Sequence, residues 1–442
     1  MVAKVELLKK LQKYNSPPAR YTLIPSPINW EDNFKESDFY ETLAETVEKR
    51  IPLNLYIHIP FCENLCTFCG CNITITQDHS IEENYLQKLI DEFKNYTSRV
   101  PGIRLQRIFL GGGTPNFLKK KNFLSFLEKI YSEAKLTQNF ELVIEADPRN
   151  LAPDTFRNLK SMGLKRLSIG VQDFNSRITL NVNRPQSISE IQAVYEMAKK
   201  ENIKIFYDLI YGLPLQNILA MQLNLERLSE VPPDGLAIYP LAKVPWLEKV
   251  QKHYGDFHFP DEEQKNQFLA ELSTGLNTRD YKNLGFGHFL HEKDSLFEEF
   301  LNKNLARNQM GVFTKASDDY LGLGVSSISK IGNCYKQNHK VLGNYMESSS
   351  YQKLRVHKQS DLESLFEQQL KNLFQTGETE INSYLYMIST QTREKIKNNL
   401  ESLEKDRIIQ FKQENLALGE YGREFMKTLF FAIDYRYSNS LY

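Results

Sequence analysis

The sequence predicts an α/β protein built on a partial (βα)6 parallel barrel, with an N-terminal arm and a small C-terminal, mainly helical module. Three observations predict it. From about residue 50, short apolar runs rich in β-branched and aromatic residues alternate with longer amphipathic segments. The apolar runs are nearly continuous, as in strands buried on both faces. After about residue 346 the alternation stops, so the barrel occupies only part of the 442-residue chain.

The elements follow in order. MVAKVELLKKLQKYNS reads as a short amphipathic helix that packs its Leu face on the body. Pro17, Pro18, Pro25 and Pro27 then make an irregular arm, which needs the body to order it. Six strands are expected: LNLYIHI (53–59), RIFL (107–110), ELVIEA (141–146), RLSIG (166–170), IKIFYDLIYG (203–212) and GLAIYP (235–240). Between them, segments such as SIEENYLQKLIDEFKNYTSRV and SISEIQAVYEMAKKENI repeat apolar residues at three- and four-residue spacing, as surface helices do. Strand–helix alternation implies right-handed crossovers and a parallel sheet. Residues 241–345 read as a mixed extension with a Gly-rich patch, YLGLGVSSIS (320–329). Beyond it, two helical stretches lead into DRIIQFKQENLALGEYGREFM, a β-ribbon after a helix, as in a winged helix. No basic charge concentrates there, which favours a lid over nucleic-acid binding. The expected units are an arm at 1–50, a catalytic domain at 51–345 (barrel 51–240 plus extension) and a lid-like domain at 346–442.

Composition narrows the function. Fifty-five basic and 55 acidic residues cancel, so no charge surplus argues for nucleic acid. No apolar run is long enough to span a membrane, and the N-terminus lacks the apolar core of a signal peptide. Clustered cysteines without a signal point to a reducing, cytoplasmic compartment.

Four of the five cysteines fall in HIPFCENLCTFCGCN: Cys62, Cys66, Cys69 and Cys71, the first three spaced C-x3-C-x2-C. A disulfide scaffold is small, secreted and cysteine-dense, unlike this chain. A zinc site is the competing reading, but it usually needs a second Cys hairpin or matched histidines, and His58 and His79 supply neither. Three thiolates suit a cubane cluster in which one of four irons keeps an open position. S-adenosylmethionine fills such a position through its amino and carboxylate groups. An electron from the cluster then splits the sulfonium to release a 5′-deoxyadenosyl radical. Phe68, just before the third cysteine, is placed to lie against an adenine.

In parallel barrels chemistry collects at the carboxyl ends of strands, and the informative residues fall there. The cysteine loop follows the first strand. The second ends in Gly111-Gly112-Gly113-Thr114-Pro115, where the absence of side chains lets a ligand meet the backbone. Glu145 ends the third, Gln172 the fourth, and Arg184 follows in NVNRPQ. Asp208 lies on the fifth. A guanidinium clamps a carboxylate, and amides or carboxylates hold ribose hydroxyls. Tyr56, beside His58 on the first strand, is aimed toward the cysteine loop.

With these motifs the chain resembles the oxygen-independent coproporphyrinogen III oxidases of the radical S-adenosylmethionine superfamily. The resemblance covers roughly residues 18–345. It rests on ARYTLIP (19–25), YIHIPFCENLCTFCGCN (56–72), GGGTP, IEADPR, LSIGVQDFN, VNR, DLIYGLP, GLGVSSIS and IGNCYKQN. It implies that Cys62, Cys66 and Cys69 ligate a 4Fe-4S cluster and that Cys71 does not. Gly112, Gly113 and Thr114 would hold the methionine end of a first S-adenosylmethionine, and Arg184 its carboxylate. Gln172 and Asp208 would bind ribose, Glu145 would add a polar contact, and Phe68 and the backbone at Ala242 would flank adenine. A second S-adenosylmethionine is implied near Tyr56, Ile210 and Ile328, with Tyr56 also catalytic. The implied reaction turns two propionates of coproporphyrinogen III into vinyls. Arg20, Arg307 and Asn308 are candidates to grip the propionates. The implied partner is an electron donor such as a flavodoxin or ferredoxin, and the implied state a monomer free of nucleic acid and membrane. The family segment RNFQGYTT reads RNQMGVFT at 307–314, so Gln309 and Val312 replace aromatics. Gly287 stands in another departure, GHFL for DHFA. Two alternatives stand beside this reading: the same radical chemistry on another substrate, and a haem- or cluster-binding chaperone.

Overall fold

The computed structural model describes residues 2–14, 25–242, 259–315, 317–348, 355–413 and 415–437. The six expected strands are all present: β1 (Leu53–Ile59), β2 (Arg104–Gly112), β3 (Lys135–Ala146), β4 (Leu164–Gln172), β5 (Lys204–Tyr211) and β6 (Gly235–Pro240). They pair in sequence order, every neighbour parallel. Leu55, Ile57, Ile108, Leu110, Leu167, Ile169 and Ile205 are fully buried, which is why these runs are apolar without alternation. Helices Ile81–Arg99, Lys120–Glu133, Pro153–Ser161, Ile188–Lys200 and Ile218–Glu230 form the outer layer. Burying Leu89, Phe93, Phe123, Leu127, Phe156, Val194 and Met221 against the strands gives one continuous core.

The sheet is larger than expected. It has 12 strands, because residues 281–358 add to both flanks of the six. Tyr320–Leu323 pairs parallel with β1 on the side away from β2, so β1 is an interior strand. Ile328–Ile331, Cys334–Gln337 and Arg355–Lys358 continue antiparallel beyond it. At the other end His288–His291 pairs antiparallel with β6 and is followed by Tyr281–Gly285. YLGLGVSSIS is therefore two strands around a turn, each of four residues. Such short strands leave no periodic signature, and the glycines read as loop. The expected boundary at 345/346 moves for the same reason: Arg355–Lys358 belongs to the main sheet, and the helical unit begins at Asp361.

That unit holds helices Asp361–Thr376, Asn382–Met387, Thr390–Lys405 and Met426–Ile433 with a three-stranded sheet of 378–380, 409–412 and 415–418. The hairpin after Thr390–Lys405 is the expected ribbon. A second core joins it to the barrel side and to the N-terminal helix, Val2–Lys13, through Leu7 and Leu11. Tyr14 donates to the Ser402 carbonyl at 3.1 Å, Lys13 pairs with Asp406 at 2.6 Å, and Asn266 donates to the Leu11 carbonyl at 3.2 Å. The arm's first helix thus clasps Glu262–Asn277 to the C-terminal unit. Arg20 lies outside the described residues.

Candidate active site

A cavity of about 580 Å³ opens at the carboxyl ends of the strands and runs into the barrel. The segments around its mouth are tied together by backbone. The turn after β2 donates from Gly113 N to the Ile59 carbonyl at 2.8 Å and from Thr114 N to the Phe61 carbonyl at 2.9 Å. Asn116 exchanges two hydrogen bonds of 2.9 Å with the backbone of Asp147, at the end of β3. The cysteine loop is held at 182–183: Thr67 N donates to the Val182 carbonyl at 3.1 Å and Asn183 to the Leu65 carbonyl at 2.7 Å. At its exit Thr74 N donates to the Pro60 carbonyl at 2.7 Å.

The glycines answer to close approach. A Cβ on Gly112, whose φ is +110°, would lie 2.5 Å from the His58 ring. A Cβ on Gly170 would fall 2.5 Å from the Gln172 amide nitrogen and 3.1 Å from the Arg184 guanidinium, so its absence makes room for both. Gln172 itself sits at φ +65°, where β4 is interrupted by a bulge.

Cys62, Cys66, Cys69 and Cys71 all line the mouth, and none of the five cysteines is in a disulfide. Burial pushes the Cys62 thiol up to about 11, against the hydrogen bond from Thr114 Oγ1, 3.3 Å away. Burial also raises Cys66, opposed by the Arg184 guanidinium at 3.5 Å. Among the described residues no three His, Cys, Asp or Glu side chains converge tightly enough to chelate one metal ion. Three thiols at one cavity mouth match the number a cubane with one open iron position requires.

Arg184 is strongly tied. It donates to the Gly170 carbonyl at 2.9 and 3.2 Å and pairs with Asp147 at 3.3 Å. Asp147 also binds Arg149, Nε at 2.8 Å. These guanidiniums hold its carboxyl below the usual range despite burial. Glu145 accepts from Gly112 N at 3.1 Å, and burial, with Asp208 nearby, pushes it up to about 7. Asp208 accepts from Ser168 at 3.3 Å and burial raises it to about 6.

Of the residues singled out in the sequence, Cys62, Cys66, Phe68, Cys69, Gly112, Gly113, Thr114, Glu145, Gln172, Arg184, Asp208, Ile210 and Ala242 all line this one cavity. Tyr56 and Ile328 do not. Tyr56, partly buried, stacks on the cavity-lining Phe109 at 6.0 Å and shares a hydrogen bond of 3.0 Å with His58. Ile328 packs in the same aromatic cluster as Met310, Tyr320 and Trp30. Arg307 and Asn308 line a separate cavity of about 90 Å³ against the C-terminal unit, while their neighbours Gln309 and Val312 line the main one. Sequence reasoning missed Asp147, Arg149, Arg166, Tyr239 and His288 as wall residues. Arg149 lay in view in IEADPR. Arg166 gave a signal too: a cation inside an otherwise apolar strand. Tyr239 and His288 meet across the β6 edge, with 3.3 Å between the hydroxyl and Nε2, a pairing no local pattern encodes.

Comparison with known proteins agrees. Residues 56–222 match the model of the radical S-adenosylmethionine superfamily. The oxygen-independent coproporphyrinogen III oxidase of Escherichia coli (strain K12) is 35% identical over 341 residues, 77% of this chain and 74% of that one. The Synechocystis enzyme of the same name is 35% identical over 75% of this chain and 72% of its own. The solved structure of coproporphyrinogen III oxidase from Escherichia coli, described as a radical S-adenosylmethionine enzyme, superposes with a TM-score of 0.85 and 29% identity, over 94% of this chain and 97% of the other. A cysteine loop, a glycine turn and a set of strand-end polar groups, gathered on one cavity in this fold, make the chain a member of the oxygen-independent coproporphyrinogen III oxidase family.

Proposed function

We propose that the protein oxidatively decarboxylates two propionates of coproporphyrinogen III to vinyls, giving protoporphyrinogen IX, without oxygen. The observation that carries this is the meeting of Cys62, Cys66 and Cys69 with the glycine turn and the polar strand ends on one cavity. The three thiols would hold a 4Fe-4S cluster, and Cys71, the most exposed of the four at the mouth, would stay outside its ligand set. When bound, the cluster and S-adenosylmethionine would supply a primary carbon radical for hydrogen-atom abstraction from a propionate, whose loss of CO2 to a vinyl passes one electron to an external one-electron acceptor.

The chain's own groups position and shield that chemistry. Backbone groups of Gly112, Gly113 and Thr114 receive the cofactor's amino acid end. Arg184, held by the Gly170 carbonyl and Asp147, would supply the positive charge for its carboxylate. Gln172 and Asp208 take the ribose hydroxyls, and Phe68 and Ala242 the adenine. Glu145, near neutrality in its protonation, donates or accepts as the ligand requires. The apolar walls Phe109, Ile210 and Met310 keep water from the reacting carbon. The electron arrives from a small redox protein, and the protein works as a cytoplasmic monomer. Among the described residues no helix is long and apolar enough to cross a membrane.

The test is an anaerobic assay of the reconstituted protein with coproporphyrinogen III, reading 5′-deoxyadenosine and, after oxidation, protoporphyrin. Both products are expected. Gln309 and Val312, standing on the cavity wall where family members carry aromatics, favour a second reading: the same chemistry on another substrate. Deoxyadenosine without protoporphyrin is its signature.

A further inference from the structure

The cations of the cavity differ in what neutralises them. At the mouth, Arg184 and Arg149 both face Asp147. At the inner end stands Arg166, 9% exposed, with its guanidinium over the Phe206 ring at 4.9 Å. It donates one hydrogen bond, from Nη1 to the Val312 carbonyl at 2.7 Å, and forms no ion pair with a carboxylate among the described residues.

The acids within electrostatic reach are engaged elsewhere. Glu141 pairs with Arg107 at 2.8 Å. Asp294 takes Lys204 and accepts from the backbone of Leu296 at 2.7 Å. Asp208 accepts from Ser168 at 3.3 Å and makes no ion pair with Arg166 among the described residues. Nearby Arg307 adds positive potential: it and Arg166 both act, after burial, to depress His288. A guanidinium kept in a low-dielectric wall without a counter-ion is costly unless a ligand brings one. Its position over the Phe206 ring and its bond to the Val312 carbonyl hold the guanidinium at the cavity wall, where a carboxylate can reach its remaining N–H groups. Arg166 lies roughly 20 Å of strand before Gln172, well below the turn that receives the cofactor's amino acid.

We propose that Arg166 anchors a propionate carboxylate of the substrate, so that the tetrapyrrole enters the barrel one acid arm first. This rests on the function proposed above and names the group that reads its acid side chain.

The experiment compares wild type, R166Q and R166K, each reconstituted without oxygen. Binding of coproporphyrinogen III and of its tetramethyl ester is measured, together with affinity for S-adenosylmethionine. In wild type the acid should bind more tightly than the ester. R166Q should weaken the acid by about ten- to a hundred-fold, leave the ester nearly unchanged and leave cofactor affinity unchanged. R166K, with charge but no planar fork, should fall between. Equal losses for acid and ester would make Arg166 structural and overturn the proposal. So would a loss of cofactor affinity in parallel with the acid, or no change at all. A wild type that cleaves S-adenosylmethionine but binds neither tetrapyrrole would overturn the function itself, and this inference with it. A wild type that turns over with R166Q binding the acid unchanged would overturn this inference alone.

Discussion

The mouth and the inner end of the cavity are built on opposite plans. At the mouth, short local motifs supply the groups, and the guanidiniums are ion-paired: Arg184 and Arg149 both with Asp147. The inner end is assembled from β4, β5, His288–His291 and the 311–314 strand, and its buried guanidinium has no ion pair among the described residues. The difference teaches where each ligand belongs. A pre-paired, backbone-rich rim suits a cofactor that stays the same across a superfamily. An interior guanidinium without an ion pair among the described residues suits a substrate that brings its own charge.

The comparison breaks most visibly at the cysteines. Cys62→Ser, Cys66→Ser and Cys69→Ser should each abolish the reconstituted cluster's visible absorbance, while Cys71→Ser keeps it. A Cys71→Ser protein as colourless as the others would end the three-ligand assignment. Next, Gly112→Ala forces a Cβ into the His58 ring at a positive φ, so it should cost about 2 kcal/mol or more of stability by urea titration. An unaltered midpoint would mean that the turn is looser than it looks.

Arg184→Ala sharpens the contrast. Affinity for S-adenosylmethionine should fall about ten- to a hundred-fold with tetrapyrrole binding spared, the reverse of the pattern expected for R166Q. Unchanged cofactor affinity would reduce Arg184 to a brace between Gly170 and Asp147. The smallest effect concerns pH. Glu145 is raised from its ordinary value to about 7, so its neutral form is favoured by folding. Stability from this group is full below the unfolded value of about 4.5 and is lost as pH rises through about 7. Glu145→Gln removes that dependence. The variant should therefore gain on wild type by about 1–2 kcal/mol between pH 4.5 and 8 in thermal melts without ligand, the cavity being open to water. A difference that stays flat across this range would contradict the buried, raised carboxyl.

How much was legible follows the same division. The six barrel strands and the rim were readable because buried parallel strands are continuous apolar runs and because Cys62–Cys69 and Gly111–Pro115 are local motifs. The flanking strands were not, since four residues such as Tyr320–Leu323 carry no period and gain their identity from pairing with β1. Arg166 was quoted within a strand but not assigned, because whether a cation faces core, solvent or ligand depends on neighbours such as Phe206 and Val312, far away in sequence. Tyr56 and Ile328 show the converse. The resemblance implies a cofactor near them, and in the fold they pack together in one aromatic cluster beside Phe109, a pairing that no local pattern encodes.

The interior position of β1 bears on survival of the protein in air. The strand that launches the cysteine loop is hydrogen-bonded along both edges, to β2 and to Tyr320–Leu323. The loop itself is held by separate contacts at its ends and at 182–183 rather than by a continuous ladder. Amides of Tyr56 and Ile57 should exchange with deuterium orders of magnitude more slowly than those of Glu63–Leu65, with or without iron. Oxygen that strips the cluster would then leave the scaffold standing, and rebuilding would need fresh iron and sulfide but no refolding.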